Sequence, residues 1–458
     1  MKYFKYILAS LLTLFMFSAC SDDSVDNPTF ANDEMPVIHM DWAGTYVYKM
    51  GDVVKFTAQV SPADGATFRW LVNENVVSET TSIEYTIPDA EPFTLRFEVE
   101  RNGIKNFRTA QVTVTKDFEA KPYDRAVLGV LTKNGNIDQI QWDYITHLMY
   151  TSLTVSDATG ELVLPDAAAL NKLKTAVSLA HNNGVYVIVD ITGSITFPAG
   201  TGVYNETYFN DVATDPTLRA KLIANIKNFV DEYELDGVNF YINNLNNDAG
   251  TLKNHDELVN FINELRTTFP AEREAPFNHF FLTASVPQAW NNYEFYFLGR
   301  AAESLDWVNF LLFGGTDLTP VPHAPDWQVA DNIARFRDSA GIPAEKMMIG
   351  IGAFGVKYDI PAGTSPTWGT LDQYLSYPLY NEIVKMDADA ASKSQLTQGN
   401  ATLYYVGATG ADTSVASKAA TAKEYGVKGM LIWALDYDTS DPATSLTQAI
   451  YHQMNSGE

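Results

Sequence analysis

The run Leu235-Asp236-Gly237-Val238-Asn239-Phe240-Tyr241-Ile242-Asn243-Asn244 alternates polar with apolar residues from Asn239 onward. Side chains two apart on an extended strand face the same way, so Asn239, Tyr241 and Asn243 form one file. Two amides and a phenol hydrogen-bond well and move protons badly. An amide cannot transfer a proton at neutral pH, and a phenol with a pKa of about 10 is a poor substitute for a carboxylate. Nearby loops repeat this chemistry: Gln288, Trp290, Asn291 and Tyr293 follow one apolar run, and Tyr204, Asn205 and Tyr208 follow another. Rings stack on pyranose faces and amides match hydroxyl donors and acceptors, which suits a neutral, hydroxyl-rich ligand. The 7 histidines are scattered, and no phosphate loop, zinc-ligand cluster or nucleophile elbow occurs, so no cofactor or metal is expected.

The elements that must position these residues begin near Tyr123. Apolar runs at Ala126 to Leu131, His147 to Thr151, Val185 to Ile191, Gly237 to Ile242, Phe280 to Val286, Trp307 to Phe313, Met347 to Ile351 and Gly429 to Leu435 read as buried strands alternating with amphipathic helices. Eight parallel strands make a closed (β/α)8 TIM barrel the expected α/β fold, with its site at the strands' C-terminal ends. Thr214-Asp215-Pro216 caps a helix whose Leu218, Leu222, Ile223, Ile226, Phe229 and Val230 share a face, and Leu258, Phe261, Ile262, Leu265 and Phe269 mark another. Upstream, residues 35–116 read as short strands between turn clusters, at Val53 to Val60, Thr67 to Val72, Ser82 to Ile87, Thr94 to Glu100 and Ala110 to Thr115. That spacing predicts an immunoglobulin-like β-sandwich with Trp70 in its core. The linker Lys116 to Tyr123 separates it from a barrel over 123–458.

At the N-terminus, Lys2 and Lys5 precede an apolar run from Ile7 to Phe17 that ends on Ser18-Ala19 before Cys20, the single cysteine. Residues 1–19 read as a signal peptide, the run being shorter than the roughly 20 residues a membrane helix needs. Residues 20–34 read as a flexible acidic tether. A formal net charge of −25 makes nucleic acid and anionic membrane surfaces poor partners.

Several motifs resemble known families. Phe17-Ser18-Ala19-Cys20 resembles a bacterial lipobox, and the acidic stretch after it resembles the export tags of Bacteroidetes-type surface lipoproteins. These imply lipidation at Cys20 and an outer-membrane, cell-surface location. The segment around Trp70 resembles PKD-type modules. The strand at 235–244 resembles the family-18 glycoside hydrolase signature D-G-x-D-x-D-x-E, closest to the endo-β-N-acetylglucosaminidases that cut the chitobiose core of N-glycans. The likeness spans roughly Tyr123 to Met454.

In that family the last Glu protonates the leaving oxygen, and the Asp two residues earlier steadies the acetamido group of a substrate-assisted reaction. Here Asp236 and Gly237 keep the family residues, while Asn239, Tyr241 and Asn243 replace acids. In the sixth strand Phe313 and Gly314 stand where the resemblance places a Tyr and an Asp. Val189-Asp190-Ile191-Thr192-Gly193 looks like the third strand. Ile432-Trp433-Ala434-Leu435-Asp436 looks like the eighth, whose tryptophan floors the sugar site. The resemblance thus implies a barrel without its catalytic acid that binds N-acetylglucosamine-containing glycan through Trp433, Trp290, Tyr293, Asn243, Asp190, Gln288 and Asn291, with glycan-uptake proteins as possible neighbours. Two other readings stand beside it: a hydrolase using Asp190, Asp436 or Asp438 as substitute acid, and a structural or protein-binding component.

Overall fold

The computed structural model describes residues 34–455, apart from 156–158, 197–204, 208–211, 214, 242–254, 288–291 and 314–316. The chain divides by its contacts into Met1–Val112 and Thr113–Glu458.

In the first unit, a five-stranded antiparallel sheet runs in the order Thr45–Lys49, Ile104–Thr115, Phe93–Arg101, Thr67–Val72, Asn75–Ser78. Val53–Thr57 pairs with Ser82–Thr86, and Val37–His39 with Gln59–Ser61. Trp70 is fully buried, its ring centroid 4.8 Å from Phe97 and 6.0 Å from Phe56. Arg101 is buried too, and its guanidinium meets Asp64 at 2.8 Å. The short strands at 37–39, 45–49 and 75–78 were not expected from sequence. Their outward residues are mostly exposed, so they lack a long apolar run.

In the second unit, eight parallel strands close a barrel: β1 (Ala126–Leu131), β2 (His147–Val155), β3 (Tyr186–Thr196), β4 (Gly237–Tyr241), β5 (Phe281–Pro287), β6 (Trp307–Leu311), β7 (Met347–Gly352) and β8 (Gly429–Trp433). Each pairs with its chain neighbour, and β8 returns to β1. Their apolar runs follow from burial on both faces, since outward residues such as Val127, Val189, Val238 and Phe310 pack under the helices. The helices Ala167–Asn182, Pro216–Glu232, His255–Thr268, Trp327–Arg335, Val415–Tyr425 and Leu446–Asn455 form the outer layer. Asp215 caps the second of these by accepting from Thr217 N and Leu218 N at 2.8 and 2.9 Å, with Pro216 in the first turn.

The helical alternation is incomplete. After β1 come only the 3-10 turns Ile137–Gln139 and Trp142–Tyr144, and after β5 the 3-10 run Asn292–Ala301. Between β7 and β8 the chain adds a four-stranded antiparallel sheet in the order Leu375–Ser376, Val356–Tyr358, Ala401–Tyr404, Gln395–Gln398. Strands this short carry too little pattern to be distinguished from loop in the sequence.

Two acids entering strands lock the barrel's N-terminal end in the same way. Asp236, before β4, accepts from Val187 N at 2.7 Å and meets His181 Nε2 at 2.8 Å, with Arg273 at 3.6 Å. Asp306, before β6, accepts from Leu282 N at 2.7 Å and meets His279 Nε2 at 2.6 Å, with Arg266 at 2.5 Å. Burial pushes the Asp306 carboxyl up, but His279 and Arg266 outweigh it and hold the group below the usual carboxylate range.

A candidate ligand-binding cleft at the C-terminal end of the barrel

The barrel interior is layered. Near the N-terminal end, His147, Tyr186, Phe281 and Trp307 pack as rings, with His147 4.7 Å from Phe281 and 5.3 Å from both Tyr186 and Trp307. Gly237 belongs here because a Cβ would lie 2.5 Å from Phe281 O. Burial pushes the His147 imidazole down to about 3, so the ring is neutral at physiological pH.

The next layer is polar. Asp190 on β3 is in register with Asn239 on β4, and Asn239 with Thr283 on β5. Asn239 Oδ1 accepts from Thr283 Oγ1 at 2.8 Å, Ser285 Oγ at 3.2 Å and Asn309 Nδ2 at 3.1 Å. Its Nδ2 donates to Asp190 Oδ1 at 2.6 Å. Trp307 Nε1 in turn donates to Asn309 Oδ1 at 2.9 Å. All six side chains are buried. Burial pushes the Asp190 carboxyl up to about 7, against the opposing pull of the Asn239 hydrogen bond.

Above this layer Tyr241, Phe313 and Trp433 are half-buried and pack on the inner core. Trp433 lies 6.3 Å from Phe313, and Phe313 lies 5.7 Å from Phe354. The mouth therefore has aromatic walls from β4, the residues just past β6, and β8 over an amide-rich floor.

The structure thus brings Asp190, Asn239, Tyr241, Phe313 and Trp433 together in the C-terminal half of the barrel. It does not bring Asp236 there. That residue, grouped with the site in the sequence, lies at the opposite end as a fully buried structural latch. Its backbone lies three residues before Asn239, and the strand's rise carries it out of the cleft.

Asn243, Gly314, Gln288, Trp290, Asn291, Tyr204, Tyr208 and Cys20 lie outside the described residues. Tyr293 falls in the 3-10 run after β5, and Asn205 in the strand Asn205–Thr207 that pairs with the end of β3.

The other acids considered as substitutes have structural work. Asp438 is consumed at the start of the last helix, accepting from Leu446 N at 3.0 Å, Thr447 N at 2.8 Å, Thr447 Oγ1 at 2.7 Å and Ser445 Oγ at 3.0 Å. Asp436 accepts from Thr132 Oγ1 at 3.0 Å and so ties the end of β8 to the loop after β1. Sequence reasoning missed Thr283, Ser285 and Asn309. The available signal was an amide inside the apolar run Trp307-Val308-Asn309-Phe310-Leu311, because a buried polar group needs a partner.

The closed eight-stranded parallel barrel, with aromatic and amide side chains at its C-terminal end, defines a (β/α)8 domain. Residues 128–438 match the model of glycosyl hydrolases family 18, and residues 35–101 match a PKD-like domain. The chain therefore belongs to glycoside hydrolase family 18.

Among solved structures, the fold is similar to a chitinase from Bacteroides thetaiotaomicron, at 22% identity over 72% of this chain and 96% of that one, with a TM-score of 0.55. It is also similar to a chitinase-like agglutinin from Robinia pseudoacacia, at 19% identity over 72% and 99% of the two chains, with a TM-score of 0.57. A chitinase-like effector from Moniliophthora perniciosa is 24% identical over 300 residues, which are 60% of this chain and 64% of that protein.

Proposed function

We propose that this protein is a cell-surface lipoprotein whose family-18 barrel captures N-acetylglucosamine-containing glycan, N-glycan included, without cleaving it. One observation carries the reading. At the strand positions where D-G-x-D-x-D-x-E sends acids toward the cleft, this chain presents Asn239, Tyr241 and Asn243. Asn239 is locked by four hydrogen bonds and Tyr241 packs its ring on the inner core.

Binding survives such a loss because stacking and hydrogen bonding need no proton donor. Trp433 and Phe313 keep an aromatic wall at the mouth. A chitinase-like agglutinin with a similar fold makes a binding role within this architecture a natural one. Hydrolysis draws less support: Asp438 is occupied as a cap, Asp436 is held by Thr132, and Asp190 is only 4% exposed.

Calorimetry with a chitobiose-containing oligosaccharide, run beside product analysis, tests the proposal. Saturable binding with no cleavage is expected, and robust turnover by the unmodified protein overturns it. Asn243→Glu alone leaves hydrolysis absent, because a restored acid supplies about 10²- to 10⁴-fold while Tyr241 and Phe313 still fail to orient the acetamido nucleophile. Anchoring rests on Cys20, and Cys20→Ala moves the protein out of the detergent phase if the lipobox reading holds.

A further inference from the structure

The hydrogen bonds of the cleft floor run in one direction, and a donor-only group sets it. The indole N–H of Trp307 can only donate, so Asn309 receives it on Oδ1 and presents Nδ2 to Asn239. Asn239 must then accept on Oδ1, which turns its own Nδ2 onto Asp190. The chain Trp307, Asn309, Asn239, Asp190 thus ends on a carboxyl, its terminal acceptor.

That carboxyl stands one strand from where the signature D-G-x-D-x-D-x-E carries one. Position 239 is an amide here, and its register partner on β3 is the acid. We propose that Asp190 has taken over the carboxyl that the signature D-G-x-D-x-D-x-E places at position 239, and that it is a positioning residue which, through Asn239, holds the cleft floor beneath Tyr241.

The two residues exclude each other's alternatives. An Asp at 239 would set two carboxyls 2.6 Å apart, where both cannot ionise. An exchanged pair, Asn at 190 and Asp at 239, would serve equally, since a carboxylate at 239 accepts from both sides. The groups facing Asp190 are Thr151 on β2 and Asn239 on β4, with the titratable Tyr241 one layer above and His147 and Tyr186 two layers below. His147 is neutral, and among the described residues no cation lies against Asp190.

The ligand part of this inference rests on the glycan-binding reading, whereas the exchange itself can be tested without ligand. Thermal unfolding of the whole protein from pH 4 to pH 8 is measured for the unmodified chain, Asp190→Asn, Asn239→Asp and the double variant. Burial raises the Asp190 carboxyl to about 7 in the fold, so its stabilisation is present below the unfolded-state value near 4 and is lost as pH rises toward 7. The Tm of Asp190→Asn relative to the unmodified protein therefore rises with pH across that window. Asn239→Asp has the lowest Tm at pH 8, and the double variant recovers most of that loss.

A double variant no more stable than Asn239→Asp, or parallel profiles for the unmodified protein and Asp190→Asn, overturns the exchange. Affinity for the chitobiose-containing oligosaccharide is read on the same set, with roughly tenfold weakening expected in Asn239→Asp and recovery in the double variant. If no variant binds glycan while the stability cycle closes, the glycan-binding reading fails and the exchange stands. If glycan binds and the cycle does not close, the reverse holds.

Discussion

At the N-terminal end of the barrel, Asp236 and Asp306 each face a histidine, an arginine and a backbone N–H, whereas in the C-terminal half Asp190 faces an amide and, among the described residues, no cation. All three belong to one barrel, Asp236 and Asp306 just before strands and Asp190 within β3. The difference lies in what their surroundings tolerate. A latch between strands wants several partners around the acid, because an unpaired buried ion is costly. A floor beneath a ligand can hold a carboxyl that ionises near neutrality, and burial without a counter-charge produces one. The acid that keeps the family's residue type, Asp236, therefore does not mark chemistry. Asp190, which lies outside the signature D-G-x-D-x-D-x-E, is the acid in the polar layer of the C-terminal half.

The sharpest way to break this comparison is at the latch. Asp236→Ala strands His181 and Val187 N in a site with no exposure, and it should cost about 3–5 kcal/mol in denaturant unfolding. A loss below ~1 kcal/mol, the range of surface ion pairs, would mean that the N-terminal pairs are not what holds the strands in place.

A second test concerns the ring layer between the N-terminal acids and Asp190. His147 is fully buried, its Nε2 has no hydrogen-bond partner among the described residues, and burial lowers its pKa to about 3. A folded value below the unfolded one means that the unfolded chain binds more protons between about 3 and 6.5, so stability is present above that window and lost as pH falls through it. His147→Phe keeps a ring among Tyr186, Phe281 and Trp307 and removes this term. The variant should gain stability relative to the parent as pH falls, by on the order of 3 kcal/mol at pH 4. Parallel acid unfolding curves for the two proteins would show that His147 is protonated in the fold. The slope opposes that of Asp190, so only differences between single variants separate the two groups.

Most of the barrel is legible in the sequence because its strands are buried on both sides. Gly237 to Ile242 was expected and Gly237–Tyr241 is found, and Ala126–Leu131 agrees at both ends. The inserted sheet between β7 and β8 escapes for the opposite reason. Gln395–Gln398 is largely exposed and Leu375–Ser376 has two residues, so neither has a period to detect.

The site is legible only in part. The alternation of Asn239 and Tyr241 reveals their shared face, but nothing local reveals that Asn239 meets Thr283, Ser285 and Asn309 from two other strands. Asp438 is instructive in the same way. An acid just past β8 reads as a candidate for chemistry, and only the position of the last helix shows it to be a cap.

The smallest expected effect falls on the rings at the mouth, and it bears most directly on ligand binding. Trp433 is anchored through its backbone, since Ala353 N donates to Trp433 O at 2.7 Å and Gly352 is its register partner on β7. Its ring is half-buried, and removing it leaves the inner core beneath largely in place. Trp433→Ala should therefore weaken binding of a chitobiose-containing oligosaccharide by about 0.5–1.5 kcal/mol from lost ring contact, with the unfolding midpoint changed little. Phe313→Ala should do less, because that ring reaches the mouth through its contacts with Trp433 and Phe354. Tight binding indifferent to both substitutions would move the ligand away from the cleft. The pairing of acid and amide beneath it would then be an adjustment of the core alone. A graded loss, larger for Trp433 than for Phe313, would fix the ligand above β8 and place the Asp190–Asn239 floor directly under it.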